Sequence, residues 1–267
     1  MYDYHTHSAF SDDCSTPMTD MIEAACKLGF HEIAVTDHYD PDYPDPEFPF
    51  ELDFPSYHKA LNDAKDAYRN RIKVLKGIEI GIQHGSVLEK CKAQAKKFDY
   101  DFIIGSFHCA EGCELYGSRF FMNRSAEDAY IASYSYMRDC LLNYKEYDVI
   151  GHFNIIDRYS GRIASSSVYM DLVEEILKII IADGKGIEIN TSSFRYGLGE
   201  RTTPSQKILH LFSELGGEII TIGSDAHRTK DVGDRFDFAV QMIKSVGLKY
   251  LATFDQRKLN FVKLDSI

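Results

Sequence analysis

Short apolar runs alternate along the chain with longer stretches in which apolar positions recur every three or four residues. In 17–29, for example, Met21, Ala25 and Leu28 would share one face of a helix that ends near Gly29. The periodic stretches predict helices at 17–29, 55–70, 86–98, 125–145, 166–183, 204–215 and 231–246. The apolar runs predict strands at 1–5, 32–37, 73–80, 101–108, 147–153, 186–192 and 218–225.

The regular alternation of strand and helix predicts an α/β fold with a parallel sheet. Seven such units, or eight if 249–254 adds a strand, are too many for a small open sheet. We therefore expect a closed barrel of the TIM type, distorted or one unit short. A doubly wound open sheet is the alternative, but neither a GxGxxG nor a P-loop motif supports it. Because the chain has no repeats, linkers or low-complexity segments, residues 1–267 are interpreted as a single domain.

One segment interrupts this alternation. Residues 39–50, YDPDYPDPEFPF, contain four of the seven prolines and therefore cannot form a helix. We expect a long loop here, after the second strand and on the functional rim of the barrel.

Composition narrows the classes of protein that fit. With 267 residues, 44% of them hydrophobic, the chain can bury a substantial core, and no run of 18 apolar residues predicts a membrane span. The net charge of −11 disfavours a long nucleic acid as partner, although a small anion could bind where a few arginines meet. The polar N-terminus lacks a secretory leader, and the six cysteines form no CxxC pair, so we expect a cytoplasmic protein with reduced thiols.

Side chains of the kinds that bind metals follow or end every predicted strand. His5 and His7 are two positions apart and would point to the same face of the first strand. In a parallel barrel the carboxyl ends of the strands converge on one face, which is where active sites form. The other polar residues at these ends are Asp12, Asp13, Asp37, His38, Glu79, His108, His152, Glu188, Asn190, Asp225 and His227.

Each of these positions also has an ordinary structural explanation. Two histidines can be exposed on a strand, and Asp37 or Asp225 could cap a helix that follows. The isolated residues His31, His58 and His210 fit surface or helical positions. Histidines at four buried strand ends would nevertheless be costly if they bound nothing. A metal centre is the better interpretation of the joint pattern.

Imidazoles mixed with carboxylates favour zinc, iron or manganese. Cys109 and Cys113 are interpreted as structural, because Cys109 would face away from His108 and CxxxC without a second pair is a poor zinc motif. The candidate ligands outnumber those that one ion accepts, which indicates two or three divalent ions and suits hydrolysis at phosphorus. The candidate ligands are His5, His7, Asp13, His38, Glu79, His108, His152, Asp225 and His227.

The ordered motifs HTHSAFSDD, TDH, GIE, GSFH, GHF and GSDAH resemble those of the polymerase-and-histidinol-phosphatase (PHP) family over nearly the whole chain. EINTSSFR and the chain length bring the sequence closest to the histidinol-phosphatase branch. The resemblance implies a distorted (β/α)7 barrel with a trinuclear metal centre. It also implies dephosphorylation of L-histidinol phosphate in histidine biosynthesis.

The same resemblance implies how the ligands are divided among the ions. Asp12 and Asp13 both follow the HxH motif at a suitable distance, and Asp13 is preferred. The three implied ligand sets are His5, His7, Glu79 and Asp225; Glu79, His108 and His152; and Asp13, His38 and His227.

For the reaction we expect a metal-bridged hydroxide to attack phosphorus opposite the leaving alkoxide, with Asp225 or His227 relaying the proton. Arg158 and Arg195 lie just beyond the fifth and sixth strands and are the predicted phosphate-binding residues. Their planar guanidinium groups can bind two phosphate oxygens at once. Weaker candidates are Arg162, Arg201 and Arg228 for the phosphate, and Tyr39, Asp42, Tyr43 and His84 for the imidazole end of the substrate.

Three other functions remain open at this point. A PHP phosphoesterase for a nucleotide or another small phosphomonoester would use the same centre. A metal-dependent amidohydrolase also begins with HxH, but it often needs a carboxylated lysine where this chain has Glu79, and Lys76 lies elsewhere on that strand. A protein that stores or senses metal would not explain arginines near the strand ends.

Overall fold

The computed structural model describes residues 1–199 and 201–267 and contains a barrel of parallel strands. The strands of the barrel are β1 (Tyr2–Thr6), β2 (Glu32–Val35), β4 (Lys73–Gly81), β5 (Phe102–Ser106), β8 (Val149–Ile150), β9 (Gly186–Asn190) and β10 (Ile220–Gly223). They follow one another around the barrel in chain order, and each hydrogen-bonded pair is parallel.

The last strand closes the barrel onto the first. The backbone N–H of His7 donates to the carbonyl of Ala226 at 2.9 Å, and that of Asp225 donates to the carbonyl of His5 at 2.8 Å. In the described residues the barrel therefore has seven strands in its main path, the number that the family resemblance implied. Because its ends meet here, residues from the two termini of the sequence lie side by side.

The strand predicted at 32–37 is divided in two. β2 ends at Val35, and after two residues β3 (His38–Tyr39) pairs with the carboxyl-terminal part of β4. In this register His38 is the direct neighbour of Glu79. The break thus brings an imidazole next to the central carboxylate of the site.

Helices cover the outside of the barrel and bury an apolar stripe against it. In the first helix Met21, Ile22 and Ala25 are fully buried, whereas Leu28, predicted to share their face, is 56% exposed. The reason is that this helix ends at Lys27 and the chain reverses at Gly29, where φ is 73°. The helices are α1 (Met18–Lys27), α2 (Phe54–Tyr68), α3 (Ser86–Lys97), α4 (Ala126–Leu141), α5 (Ile156–Tyr159), α6 (Ser166–Ala182), α7 (Gln206–Glu214) and α8 (Phe236–Ser245).

Residues 249–254 do not add an eighth parallel strand. They belong to β11 (Tyr250–Asp255), which pairs antiparallel with β12 (Lys258–Lys263) because two residues at positive φ, Gln256 and Arg257, reverse the chain. Phe254 packs beside Tyr4 and Phe102, and its N–H donates to the Tyr4 hydroxyl at 2.8 Å. This hairpin closes the amino-terminal end of the barrel.

The loop predicted at 39–50 is present apart from the last residue of β3, and it runs irregularly from that strand to α2. A second small hairpin, β6 (Cys109–Ala110) with β7 (Cys113–Glu114), follows β5. All six cysteines are free. Within the described ranges no helix combines the length and apolar character needed to cross a membrane.

Candidate metal centre

The centre is built around the carboxylate of Glu79 in the middle of β4. Its Oε2 atom lies 3.2 Å from His5 Nε2, 3.5 Å from His7 Nε2 and 3.1 Å from His38 Nδ1. Glu79 is fully buried, and Oε2 has no hydrogen-bond partner among the described residues. Three imidazole nitrogens thus converge on one carboxylate oxygen without satisfying it.

The other oxygen of Glu79 faces a second pair of histidines. Oε1 lies 2.9 Å from His152 Nε2 and 3.3 Å from His108 Nε2, and it accepts a hydrogen bond from the Ser106 hydroxyl at 2.5 Å. His108 follows β5 and His152 follows β8, two strands that are neighbours in the barrel. Glu79 therefore presents one oxygen to each of two groups of histidines.

A third group of ligand types lies nearer the solvent. Asp13 Oδ2 is 3.1 Å from His227 Nε2 and 3.7 Å from His38 Nε2. His7 is stacked between His38 and His227, with ring centroids 4.3 and 4.2 Å apart. Asp12 lies elsewhere, since its carboxylate accepts the backbone N–H of Phe50 at 2.7 Å. The structure thus places Asp13, and not Asp12, next to the histidines.

All nine predicted ligands meet at this end of the barrel, but their division among ions stays a prediction. His38 has close neighbours in two directions, Glu79 and His227, so the three implied sets are not cleanly separated. The groups whose ligand atoms lie within 4.8 Å of one another are His5, His7 and Asp225; His5, Glu79 and His152; His38, Glu79 and His108; and His7, His38 and His227.

Burial at this centre disfavours the charged form of each carboxylate, yet the carboxylates stay ionised. Burial alone would raise the pKa of Glu79, but the imidazoles of His5, His38 and His108 hold it well below its usual range. Asp225 behaves in the same way, since burial is outweighed by the charge of His5 and its pKa lies well below the ordinary value. The carboxylates of the centre are therefore held in their ionised form by the imidazoles around them.

His7 and His152 are the two imidazoles of the cluster whose pKa is lowered, in both cases chiefly by burial. Burial, and after it repulsion from His227 and His38, lowers the pKa of His7 to about 3. Neutral imidazole is the form that binds metals.

The donor set fits divalent metal ions. Besides Glu79 Oε2, the buried atoms His38 Nδ1, Asp40 Oδ2 and His152 Nδ1 have no hydrogen-bond partner in the described part of the chain. Buried polar atoms are normally satisfied, so several unsatisfied ones at one place indicate a missing partner. Because imidazoles and carboxylates surround that place, a cation of the zinc, iron or manganese type would satisfy them.

Two carboxylates in contact with the predicted ligands were not assigned a role from the sequence. Asp40 Oδ1 lies 2.6 Å from His108 Nδ1, and Glu188 Oε1 lies 2.7 Å from His5 Nδ1. Asp40 stands two residues after His38, on the same side of an extended segment, which is a signal that could have found it. Glu188 was noted only as a polar residue at the end of the sixth predicted strand.

A cavity of about 840 Å³ opens over the centre. Arg158 donates to Asn190 at 3.2 Å and to Ser192, while Arg195 donates to the carbonyls of Ser224 at 2.7 Å and Asp225 at 2.9 Å. Arg158 and Arg195, the two predicted phosphate-binding residues, both line the cavity. Its other lining side chains include Asp13, His38, His108, His152, Asp225, His227, Tyr43, Asp45, Phe48, Phe50, Tyr116, Tyr159, Tyr196 and Arg228.

The weaker substrate candidates are spread more widely. Tyr43 and Arg228 line the cavity. Asp42 pairs with Lys90 at 2.6 Å, and Arg162 pairs with Glu127, both on the exposed surface. The remaining weak candidates, Tyr39, His84 and Arg201, are not part of the cavity wall.

Two residues that the sequence analysis placed outside the centre have other surroundings in the structure. Cys109 is buried, and no cysteine belongs to the ligand groups found in the described residues. Lys76 forms an ion pair with Asp99 at 2.5 Å and so does not serve the centre as the bridging lysine of an amidohydrolase would.

Comparison with known proteins identifies relatives that align from end to end. Residues 3–192 match the family described as PHP domain. A protein of Clostridium acetobutylicum named probable histidinol-phosphatase is 32% identical over 266 residues, which cover 98% of this chain and 99% of that one. The histidinol-phosphatase of Lactococcus lactis subsp. lactis is 29% identical, with 97% of this chain and 96% of the relative covered.

Among solved structures the fold is similar to that of the histidinol phosphate phosphatase from Lactococcus lactis subsp. lactis, a crystal structure complexed with zinc, L-histidinol and phosphate. The TM-score is 0.84 at 27% sequence identity, and the match covers 97% of this chain and 98% of that one. The barrel, the order of the motifs and the relatives agree, and this chain belongs to the PHP domain family.

Proposed function

We propose that this chain is a histidinol-phosphatase, which hydrolyses L-histidinol phosphate with one water to L-histidinol and phosphate. The observation that carries the proposal is the juxtaposition, in one cavity, of a histidine–carboxylate metal centre with two arginines. The relatives named histidinol-phosphatase support the substrate, and one of them binds zinc, L-histidinol and phosphate in its crystal structure.

Two or three divalent ions would be held by the nine predicted ligands, which are His5, His7, Asp13, His38, Glu79, His108, His152, Asp225 and His227. Such ions supply Lewis-acid stabilisation of phosphoryl oxygens and make a water molecule more acidic. Because Glu79 presents one oxygen to each side of the centre, it is the carboxylate best placed to be shared.

The arginines supply the positive charge that orients the phosphate. Arg158 Nε and Arg195 Nη1 are buried and have no hydrogen-bond partner among the described residues, while the Nη2 atom of each donates to residues at the carboxyl-terminal end of the barrel. Each guanidinium is therefore fixed in place with a donor to spare. A phosphate oxygen is a suitable acceptor for such a donor.

A proton must pass from the attacking water to the alkoxide oxygen of the leaving L-histidinol. Asp225 and His227 both line the cavity, with Asp225 Oδ1 and His227 Nδ1 3.7 Å apart. We assign the relay to this pair. The water attacks phosphorus, the bond between phosphorus and the ester oxygen breaks, and the relayed proton completes the alcohol.

A side-by-side assay of the metal-loaded protein tests the proposal. L-histidinol phosphate, a nucleoside monophosphate and a panel of amides are compared by kcat/KM. We expect hydrolysis of L-histidinol phosphate to exceed that of the nucleotide by more than about 10²-fold, because a site that hydrogen-bonds its substrate strongly rejects analogues that leave its polar groups unpaired. A preference for the nucleotide or for an amide would replace the proposal with one of the other two enzyme functions.

Substitution of Arg195 tests the phosphate-binding role. Loss of a hydrogen bond to a charged group costs roughly 1.5–3 kcal/mol, so Arg195→Ala is expected to lower kcat/KM for L-histidinol phosphate about 10- to 100-fold. The matched control is Arg162→Ala, since Arg162 is an arginine of the same region that pairs with Glu127 on the surface. Equal kcat/KM values for the two variants would reject a substrate role for Arg195.

A further inference from the structure

Glu188 is a fully buried carboxylate on β9 that is not one of the predicted metal ligands. Its Oε1 lies 2.7 Å from His5 Nδ1. Its Oε2 accepts the backbone N–H of His152 at 2.9 Å and the side-chain amide of Asn190 at 3.1 Å. One carboxylate thus contacts two predicted ligands that come from opposite sides of its strand, His5 from β1 and His152 from the segment after β8.

The barrel leaves room for this carboxylate by placing a glycine beside it on the next strand. A Cβ atom at Gly223, on the neighbouring strand β10, would overlap with Glu188 Oε1 and with the Cβ of His5. A Cβ atom at Gly151, after β8, would lie 3.5 Å from Glu188 Oε2 and only 2.7 Å from Ser106 Oγ. The absence of a side chain at Gly223 allows Glu188 to reach His5, whereas a Cβ at Gly151 would be in ordinary contact with Glu188.

The contact with His5 determines which nitrogen of its ring carries the hydrogen. A hydrogen bond from His5 Nδ1 to Glu188 Oε1 leaves Nε2 as the nitrogen whose lone pair can bind a metal ion. Nε2 is the atom that faces the centre, 3.2 Å from Glu79 Oε2 and 3.9 Å from Asp225 Oδ1. A carboxylate behind a histidine ligand is known to fix the ring and increase its basicity.

The contact with His152 acts on the backbone. His152 has a φ of 24°, in the left-handed region that side chains other than glycine disfavour. Its N–H is held by Glu188 Oε2 in this conformation, from which Nε2 reaches Glu79 Oε1 at 2.9 Å. Removal of the acceptor would release the strained residue and move its imidazole.

We propose that Glu188 is a positioning residue that orders His5 and His152 for metal binding without contacting the ions itself. The inference rests on the proposed metal centre. It assigns to one side chain the alignment of ligands on both sides of the bridging Glu79.

The test compares the full chain with Glu188→Gln, and with Glu32→Gln as control. A glutamine has one oxygen and one amide nitrogen in place of two acceptors, so it cannot accept from both His5 Nδ1 and His152 N–H. Glu32 is a carboxylate on β2 at the opposite end of the barrel, where it accepts from the Tyr4 hydroxyl at 2.5 Å. Zinc affinity of each metal-free protein is measured by competition with a chromophoric chelator.

We expect zinc to bind about 10- to 100-fold more weakly to E188Q than to the wild-type chain, and with unchanged affinity to E32Q. Equal affinity of E188Q and wild type would overturn the positioning role and leave the proposed function intact. Failure of the wild-type chain itself to bind zinc would instead overturn the proposed metal centre.

A second measurement is made on the wild-type chain and does not depend on how E188Q folds. In the zinc-loaded wild-type chain labelled with ¹⁵N-histidine, NMR of the imidazole nitrogens should show His5 protonated at Nδ1 and coordinated through Nε2. Assignment of the resonance uses a His5→Gln chain, in which it disappears. Coordination of His5 through Nδ1 would overturn the inference whatever the behaviour of E188Q.

Discussion

Both ends of this barrel bury carboxylates, but they partner them differently. At the amino-terminal end Asp101 accepts from Lys65 Nζ at 2.7 Å and from the backbone N–H of Lys76 at 3.0 Å. Asp148 is paired there with the guanidinium of Arg257 at 3.0 Å. At the carboxyl-terminal end Glu79 is surrounded by imidazoles, and its Oε2 is left without a hydrogen bond.

The difference separates a structural use of buried charge from a chemical one. At the amino-terminal end, the carboxylates that attach the β11–β12 hairpin to the barrel receive hydrogen bonds from lysine, arginine and backbone N–H groups. These carboxylates therefore need no further partner. At the other end the carboxylates face histidines, which donate poorly to several acceptors at once but coordinate metals well. The buried atoms without hydrogen-bond partners, such as Glu79 Oε2, indicate that the carboxyl-terminal end of the barrel is the functional one.

The largest expected effect comes from removing Glu79, the carboxylate that we propose is shared between ions. Metal ions stabilise a phosphoryl transition state by several kcal/mol, so Glu79→Gln is expected to lower kcat/KM for L-histidinol phosphate by about 10³-fold or more. Bound zinc should fall in parallel, as measured by elemental analysis of dialysed protein. Retention of both zinc and activity in E79Q would contradict the functional assignment of this end.

A substitution at the amino-terminal end should lower the stability of the fold, in contrast to E79Q, which is expected to lower zinc binding and activity. Arg257→Met removes the guanidinium from Asp148 and keeps the aliphatic stem, leaving a buried carboxylate with fewer partners. Removal of one partner of a buried ion pair costs about 3 kcal/mol at the low end of the measured range, which is appropriate because the Arg257 side chain is 26% exposed. Urea denaturation should show this loss of unfolding free energy.

The zinc affinity of R257M shows whether this substitution affects only the amino-terminal end. Because the ion pair lies at the far end of the barrel, we expect zinc to bind the folded variant as it binds the wild type. A joint loss of stability and zinc affinity would show that the two ends are coupled, and the distinction between them would fail.

The smallest expected effect concerns a histidine outside the centre. His58 on α2 has its Nε2 3.1 Å from the Tyr100 hydroxyl, and burial lowers the pKa of this imidazole to about 4. In the unfolded chain the pKa of histidine is about 6.5, so between about pH 6.5 and pH 4 the unfolded chain takes up a proton that the folded chain does not. His58 therefore makes stability fall as pH decreases through this window.

The measurement is the unfolding free energy of metal-free wild type and of His58→Gln at about pH 8 and pH 5. The wild type should lose more stability between these two values than the variant, since other groups contribute equally to both. Parallel losses would mean that His58 is already protonated in the folded chain.

Much of the architecture followed from local patterns. The alternation of apolar runs with helical periods predicted a parallel barrel, and the carboxyl ends of its strands were predicted to carry the ligands. The errors lie where tertiary contacts override a local pattern. Residues 249–254 look like one more strand of the barrel, but the turn at Gln256 and Arg257 pairs them antiparallel with β12 instead. The strand predicted at 32–37 breaks after Val35, which puts His38 opposite Glu79.

The roles of Asp40 and Glu188 were missed for a similar reason. Each is separated in sequence from the imidazole it contacts, His108 and His5 respectively, and the contact depends on the register of neighbouring strands. A single sequence shows that a carboxylate is present at a strand end. It does not show which atom lies across from it.

By itself, the sequence determined the parallel barrel, the end of it that carries the histidines and carboxylates, and the kinds of candidate ligand gathered there. These properties follow from periodicity, and periodicity is local. The tertiary structure alone decided that Asp13 and not Asp12 faces His227, that Glu79 offers one oxygen to each side of the centre, and that Glu188 stands behind His5. Such distances exist only after the barrel closes, because closure brings β10 against β1 and sets the position of every strand between them.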